Sequence, residues 1–285
     1  MASGRRRLSL AWIVTLPFFA YTLLFMFLPA GSVLIGAFEG STHGYTFSNV
    51  TTLFHHPYID AFKTSIEISG TTALVGGAVG LAVAYAAIRE GTPRWVRSAL
   101  TTFSGVAANF GGIPLAFAFI STLGPLGIIT VFGRNHGWDP TAHGFNLFSK
   151  TGVELAYMYF QLPLMILVIA PAIDGLRKEW REASSNLGAS QLQFWRYVGV
   201  PVLMPSLLGA IILLFGNAFA AYATAYSLTA GTVNIVPILI GAYYSGNVLN
   251  NPHLAQAMAF GMFAVLAVMM VLYIPLQRRA ARWAK

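Results

Sequence analysis

The sequence predicts an all-α membrane protein with six transmembrane helices. Three observations carry that prediction. Apolar residues make up 56% of the chain and charged residues 9%, whereas a soluble domain carries roughly a quarter charged residues. Six apolar stretches, about 10–38, 64–88, 98–131, 152–173, 198–228 and 254–276, reach the ~20 residues that a span needs. Lipid offers no partner to a free backbone N–H or C=O, so each stretch has to be helical.

The first stretch follows Arg5, Arg6 and Arg7. Its apolar run from Leu8 to Phe38 is far longer than the core of a signal peptide, about 7–15 residues, so it reads as an uncleaved span. Residues from about Glu39 to Phe62 form an outer loop. The second stretch, from Thr64, is rich in small residues, and Gly76 and Gly80 form a small-xxx-small pair that permits close helix contact. The third is too long for a simple span and is interrupted at Asn109-Phe110-Gly111-Gly112-Ile113-Pro114. Glycine frees the backbone there, and Pro114 removes a donor and crowds the preceding turn. Such a break at membrane depth is tolerated where protein covers it or it lines water. A second outer loop, about Phe132 to Lys150, carries Gly137-Trp138-Asp139-Pro140. The patch from Ile235 to Tyr244 is too short to span and reads as an outer surface or re-entrant helix. Asn250, Asn251 and Pro252 lead into the last span, with Asn suited to cap it.

Orientation follows from the basic residues. With the N-terminus in the cytoplasm, Arg5, Arg6, Arg7, Arg89, Arg94, Arg97, Arg177, Lys178, Arg181, Arg196, Arg278, Arg279, Arg282 and Lys285 face inward. Only Lys63, Arg134 and Lys150 are left outside, as the positive-inside rule requires. The net charge of +8 is then an orientation signal, aided by anionic inner-leaflet lipid, and needs no nucleic acid to explain it. The histidines, His43, His55, His56, His136, His143 and His253, fall in outer loops. They are scattered, and the adjacent His55 and His56 point apart on a helix, so no metal site is expected. The chain has no cysteine, which excludes disulfides and thiolate chemistry.

The loop between spans four and five, about 174–197, is the most specific feature. Its segment Glu182 to Pro201 reads EASSNLGASQLQFWRYVGVP. Residues 178–187 predict a short charged helix that Gly188 stops, a second helix is expected over 190–197, and Pro201 sets the entry of span five. A rigid polar helix held at the membrane surface is suited to docking a soluble partner. The spacing resembles the EAA motif of ATP-binding-cassette (ABC) importer permeases: Glu182, Ala183 and Ser184, three residues, Gly188, nine residues, Val198, one residue, Val200-Pro201. Ser184, Val198 and Val200 depart from that pattern by small or apolar swaps. Six spans and an interrupted outer segment after span five are similar to the spermidine/putrescine-type branch over nearly the whole chain.

The resemblance implies a type I permease fold forming a single domain over 1–285, in a bacterial inner membrane, with both termini cytoplasmic. It implies a second permease subunit, identical or different, two ATP-binding subunits, and an extracytoplasmic substrate-binding protein. ATP and Mg would sit on the partner subunits and no cofactor on this chain, which carries no GxxxxGK[ST] phosphate loop. The docking residues would be Arg181, Glu182, Ala183, Ser184, Leu187, Gly188, Ala189 and Pro201. Polar residues within the spans are candidates for the substrate path: Glu67, Asn109, Gln161, Asn217, Tyr222 and Tyr226. An intramembrane carboxylate is costly, so Glu67 and Glu154 could alternatively serve a secondary transporter or channel as a proton or cation relay. Helix packing and interface anchoring are the plainer roles for every one of these residues. The resemblance implies that the chain forms half of the translocation path for a small solute, polyamine-like or related. Polyamine-type permeases often carry an acidic residue near the position of Asn217 and Ala218, which is absent here, and phosphonate, ferric ion and sulfate-like anions use related permeases.

Overall fold

The computed structural model describes residues 11–40, 44–88, 92–138, 141–142, 144–245 and 250–281. Arg5, Arg6, Arg7, His43, Arg89, Asp139, Pro140, His143, Arg282 and Lys285 lie outside them. Among the described residues the regular structure is helical, and six helical segments are long and apolar enough to cross a membrane. The helices pack as two compact units, 1–56 with 240–263 and 57–239 with 264–285.

In the first unit, α1 (Ala11–Thr22) and α2 (Leu28–Gly36) are joined by a π-helical turn at Leu23–Phe27. That wide turn ends two residues before Pro29. Proline has no N–H and crowds the carbonyl four residues back, and one extra residue in the turn relieves both faults. From Thr15 onward the helix shows apolar side chains outward, with Phe18, Phe25 and Met26 each about two-thirds exposed, as a lipid-facing span must. Phe38 packs edge-on against Phe47 and Phe260 at 5.5 and 5.1 Å, and α3 (Ser48–Thr52) follows. Asn251 caps α14 (Pro252–Ala281) by accepting from the Leu254 N–H at 3.2 Å, the role its position predicted.

The second unit is built on α4 (Tyr58–Ile88) and α8 (Lys150–Asp174). α4 starts six residues earlier than the hydropathy boundary at 64, with Asp60 in its first turn, where the helix dipole favours a carboxylate. Four contacts fix the pairing: Glu67 with Lys150, Thr71 with Glu154, Gly76 with Gln161, and Gly80 with Met165. The two helices therefore run parallel at a nearly constant offset. A Cβ on Gly80 would stand 2.6 Å from Met165 Cβ, and one on Gly76 would stand 3.0 Å from Gln161 Cβ, so the small-xxx-small pair is what lets α8 approach.

The third apolar stretch is not one interrupted span but three helices: α5 (Arg94–Ala107), α6 (Gly112–Leu123) and α7 (Ile128–Asn135). The first break falls at 108–111, where the sequence placed it, and Gly112 takes a φ of +71°. The second break was not expected. It is forced by Gly124, Pro125 and Gly127, where a Cβ on Gly127 would collide with the Thr122 backbone.

After α8 come α9 (Lys178–Asn186) and α10 (Gln191–Phe194), then a π-helical turn at Trp195–Gly199 leading into α11 (Val200–Phe219). The second loop helix was expected to end at 197; instead it runs unbroken into the span. Pro201 stands in the first turn of α11, as expected, and the wide turn two residues before it absorbs the missing N–H, as at Pro29. Span five also ends earlier than 228. The chain breaks at 220–222 and continues as α12 (Ala223–Thr229) and α13 (Val236–Ser245). At ten residues, α13 is too short to cross, as expected.

The α4–α8 contact yields a prediction. Gly80→Ala should lower the apparent melting temperature of the detergent-solubilised protein, at an overpacking cost of roughly 1–3 kcal/mol. Gly70→Ala on the same helix meets nothing within 4 Å and should leave it unchanged or slightly raised. A thermal melt of both variants checks the pair.

Candidate functional site

The loop helix α9 ends on Asn186. Gly188 takes a φ of +77°, its N–H donates to the Ser185 carbonyl at 2.9 Å, and the Ala189 N–H donates to that of Ser184 at 3.0 Å. This bond pair closes a helix at a left-handed residue, a conformation that glycine adopts without penalty. Ser190 then opens α10 with a reciprocal cap: its hydroxyl accepts from Gln193 N–H at 3.3 Å, and the Gln193 side chain accepts from Ser190 N–H at 2.7 Å. The Arg181 guanidinium lies 5.6 Å from the Phe194 ring centroid, tying α9 to α10. Trp195 packs edge-on against Tyr85 of α4 at 4.8 Å, which seats the loop on the bundle.

The tip is left exposed. Glu182, Ala183 and Gly188 face solvent, and Leu187 and Leu192 are 87% and 79% exposed. Two bare leucines on a polar, doubly capped knob form an apolar contact point on a rigid support. Arg181, Ser184 and Ala189 are partly covered at its base. Pro201 sits beyond the π turn, in α11, and takes no part in the knob.

The polar path candidates separate. Asn109, Asn217 and Tyr222 line one cavity of about 380 Å³, with Gly111, Gly112 and Thr224 among the other lining residues. It lies where the break before α6 faces the break before α12. Each break is stitched by a partner: the Gly112 N–H donates to Thr224 Oγ1 at 2.7 Å, and Tyr157 Oη donates to the Ala221 carbonyl at 2.7 Å. Asn109 closes on its own helix, donating to the Gly105 carbonyl at 2.9 Å. Tyr226 stacks on Tyr222, with centroids 5.3 Å apart and planes at 20°, so the two share an exposed face as their spacing predicted. That face belongs to α12 and its cap rather than to span five.

Gln161, Glu67 and Glu154 lie elsewhere. Gln161 is fully buried and donates to the Leu214 carbonyl at 2.9 Å, clasping α8 to α11 rather than lining the cavity. Glu67 forms an ion pair with Lys150, and Glu154 accepts from Thr71 Oγ1 at 3.1 Å. Sequence reasoning missed Thr224 and Tyr157. Their partners are backbone groups more than sixty residues away, and no periodicity encodes such pairs.

Residues 128–283 match the family of binding-protein-dependent transport system inner membrane components. The chain belongs to that family. It is a permease subunit of an ABC importer, not itself catalytic, which displaces the relay-type transporter alternative. It is 26% identical over 244 residues to a probable sulfate transport system permease protein of Nephroselmis olivacea, covering 82% of this chain and 78% of that one. It is 27% identical over 220 residues to a sulfate transport system permease protein of Synechocystis sp., covering 75% and 70%. An inner-membrane ABC transporter permease of Escherichia coli is 25% identical over 253 residues, covering 82% and 75%. Among solved structures, a bacterial ABC transporter involved in the import of the acidic polysaccharide alginate superposes with a TM-score of 0.75 at 18% identity, covering 95% of each chain. At that identity the match establishes the fold.

Replacing Thr224 by Val removes the acceptor for the Gly112 N–H while keeping the shape. The variant should lose about 1–2 kcal/mol of stability, read as a lower melting temperature, and Thr224→Ser should retain most of it. Equal melts for the Val variant and the parent would show the bond to be dispensable.

Proposed function

We propose that this permease forms half of the translocation path for a small oxyanion of the sulfate type. The carrying observation is the cavity between the two helix breaks. Its lining includes Asn109, Asn217 and Tyr222 and, among the described residues, holds no carboxylate, and it opens beside the N-terminus of α6, the positive end of that helix. Amide and hydroxyl donors suit an oxyanion. The names of the sulfate permeases support the same reading. A polyamine, the substrate class of the branch that the sequence suggested, is favoured by neither: the acidic candidates Glu67 and Glu154 are already engaged by Lys150 and Thr71.

The knob formed by α9 and α10 is proposed as the docking element for a partner ATPase, with Leu187 entering its groove and Glu182 oriented at the rim. A second permease subunit, two ATPases and an extracytoplasmic receptor complete the assembly; the similar alginate importer, crystallised in complex with an alginate pentasaccharide-bound periplasmic protein, supports the receptor. ATP and Mg belong to the ATPase chains. The knob is proposed to face the cytoplasm.

Uptake by the assembled transporter tests the substrate and the docking role together. Labelled sulfate should accumulate, and excess putrescine should not compete. Glu182→Lys should cut uptake by more than about tenfold, one interfacial contact being worth ~1.4 kcal/mol or more, without loss of the chain from the membrane. Putrescine uptake, or full sulfate uptake in the variant, would count against the respective reading.

Orientation is checked separately by single cysteines in the cysteine-free chain. Those at residues 45 and 250 should react with an impermeant maleimide in intact cells. Those at 92 and 185 should react only after permeabilisation. Labelling of 185 from outside would overturn the docking role.

A further inference from the structure

A second, larger cavity of about 640 Å³ opens at the base of the loop, bounded by the end of α4, the start of α5, the end of α8, and α9 and α10. Among the described residues its lining carries five cations, Arg94, Arg97, Arg177, Lys178 and Arg181, and one carboxylate, Asp174. Asp174 is already paired with Arg97. Two of the other guanidinium groups are held over aromatic rings, Arg177 over Trp180 at 5.9 Å and Arg181 over Phe194 at 5.6 Å. Both α5 and α9 begin here, and neither N-terminus is capped by a side chain, so their free amide groups add positive potential.

What sets this cavity apart is its neighbour. An apolar groove of about 360 Å³ runs between α4 and α11, past Ala78, Ala82, Leu203 and Leu207. It shares Tyr85, Ile173 and Trp195 with the basic cavity. A cationic chamber that shares a wall with an apolar groove along a transmembrane helix matches a ligand with a phosphate head and a hydrocarbon tail. We propose that this composite site binds an anionic phospholipid, its phosphoryl headgroup among Arg94, Arg177 and Lys178 and one acyl chain along the groove. A free phosphate would use only the first half of the site, and so would an acidic segment of a partner protein. Basic pockets between transmembrane helices recognise lipid headgroups by this chemistry. The lipid bridges the base of the loop and the bundle, so it stiffens the seating of the knob.

Native mass spectrometry of the full chain, purified in detergent, tests the proposal. Phosphatidylglycerol should be retained well above phosphatidylcholine. Arg94→Gln should weaken phosphatidylglycerol retention about fivefold, the usual worth of one cation near an anionic headgroup. Ala82→Trp, which fills the groove and leaves every charge in place, should also weaken it, and inorganic phosphate should not displace the lipid. Equal retention of the two lipids by the parent chain overturns the proposal. So does displacement by inorganic phosphate with Ala82→Trp unaffected, which would reduce the site to a free-anion pocket. Because the comparison of two lipids on the parent chain needs no variant, a misfolded substitution leaves the test intact.

Discussion

The constraint on which the rest depends is the refusal of hydrocarbon to hydrogen-bond with the backbone. A helix that stops at membrane depth exposes several N–H or C=O groups, each costing several kcal/mol if unmet. Among the described residues the chain breaks before α6 and before α12, among other places, and protein covers both of these breaks. Thr224 accepts from Gly112, and Tyr157 donates to Ala221. The breaks are thereby brought to face one another, and the cavity between them is a consequence of satisfying the backbone. The same constraint accounts for the two π turns, each widening the helix two residues before a proline so that the ladder survives a missing donor.

Close packing of α4 on α8 supplies the frame that holds those partners in place. Without a hydrophobic drive between helices in lipid, association depends on dispersion and a few hydrogen bonds. Gly76 and Gly80 let the backbones approach, and Gln161, fully buried, ties α8 to α11. Glu67 and Lys150 neutralise each other along the same seam. A carboxylate that looked in isolation like a relay group thus becomes part of the helix register. At the other end of the seam, Arg97 joins α5 to Asp174 of α8, so charged pairs brace α8 near both its ends.

The loop is stiff for local reasons, and its placement is tertiary. A glycine in the left-handed region and a reciprocal Ser190–Gln193 cap define the knob by bonds made between Ser184 and Gln193, which is why its shape was legible in the sequence. Its seat is not local. Tyr85 and Trp195, more than a hundred residues apart, meet edge-on, and the basic cavity exists only because the ends of α4, α5 and α8 converge there.

The sequence by itself determined the helical class, the six spans, the interruption around 109–114, an asparagine cap before the last span and the Gly188 stop, because each follows from composition, from lipid's demand for internal hydrogen bonds or from local backbone chemistry; the family was legible only through the resemblance of the Glu182–Pro201 spacing. It misjudged the course of the third stretch, the end of span five and the end of the second loop helix, since a proline or glycine announces a disturbance without saying whether the helix breaks or widens. Only the tertiary structure decided which polar residues meet. Asn109, Asn217 and Tyr222 converge on one cavity, while Gln161 is spent on packing and Glu67 on an ion pair. Hydrogen bonds and ion pairs between helices depend on register and rotation, and those are set by shape complementarity across the whole interface rather than by any one segment.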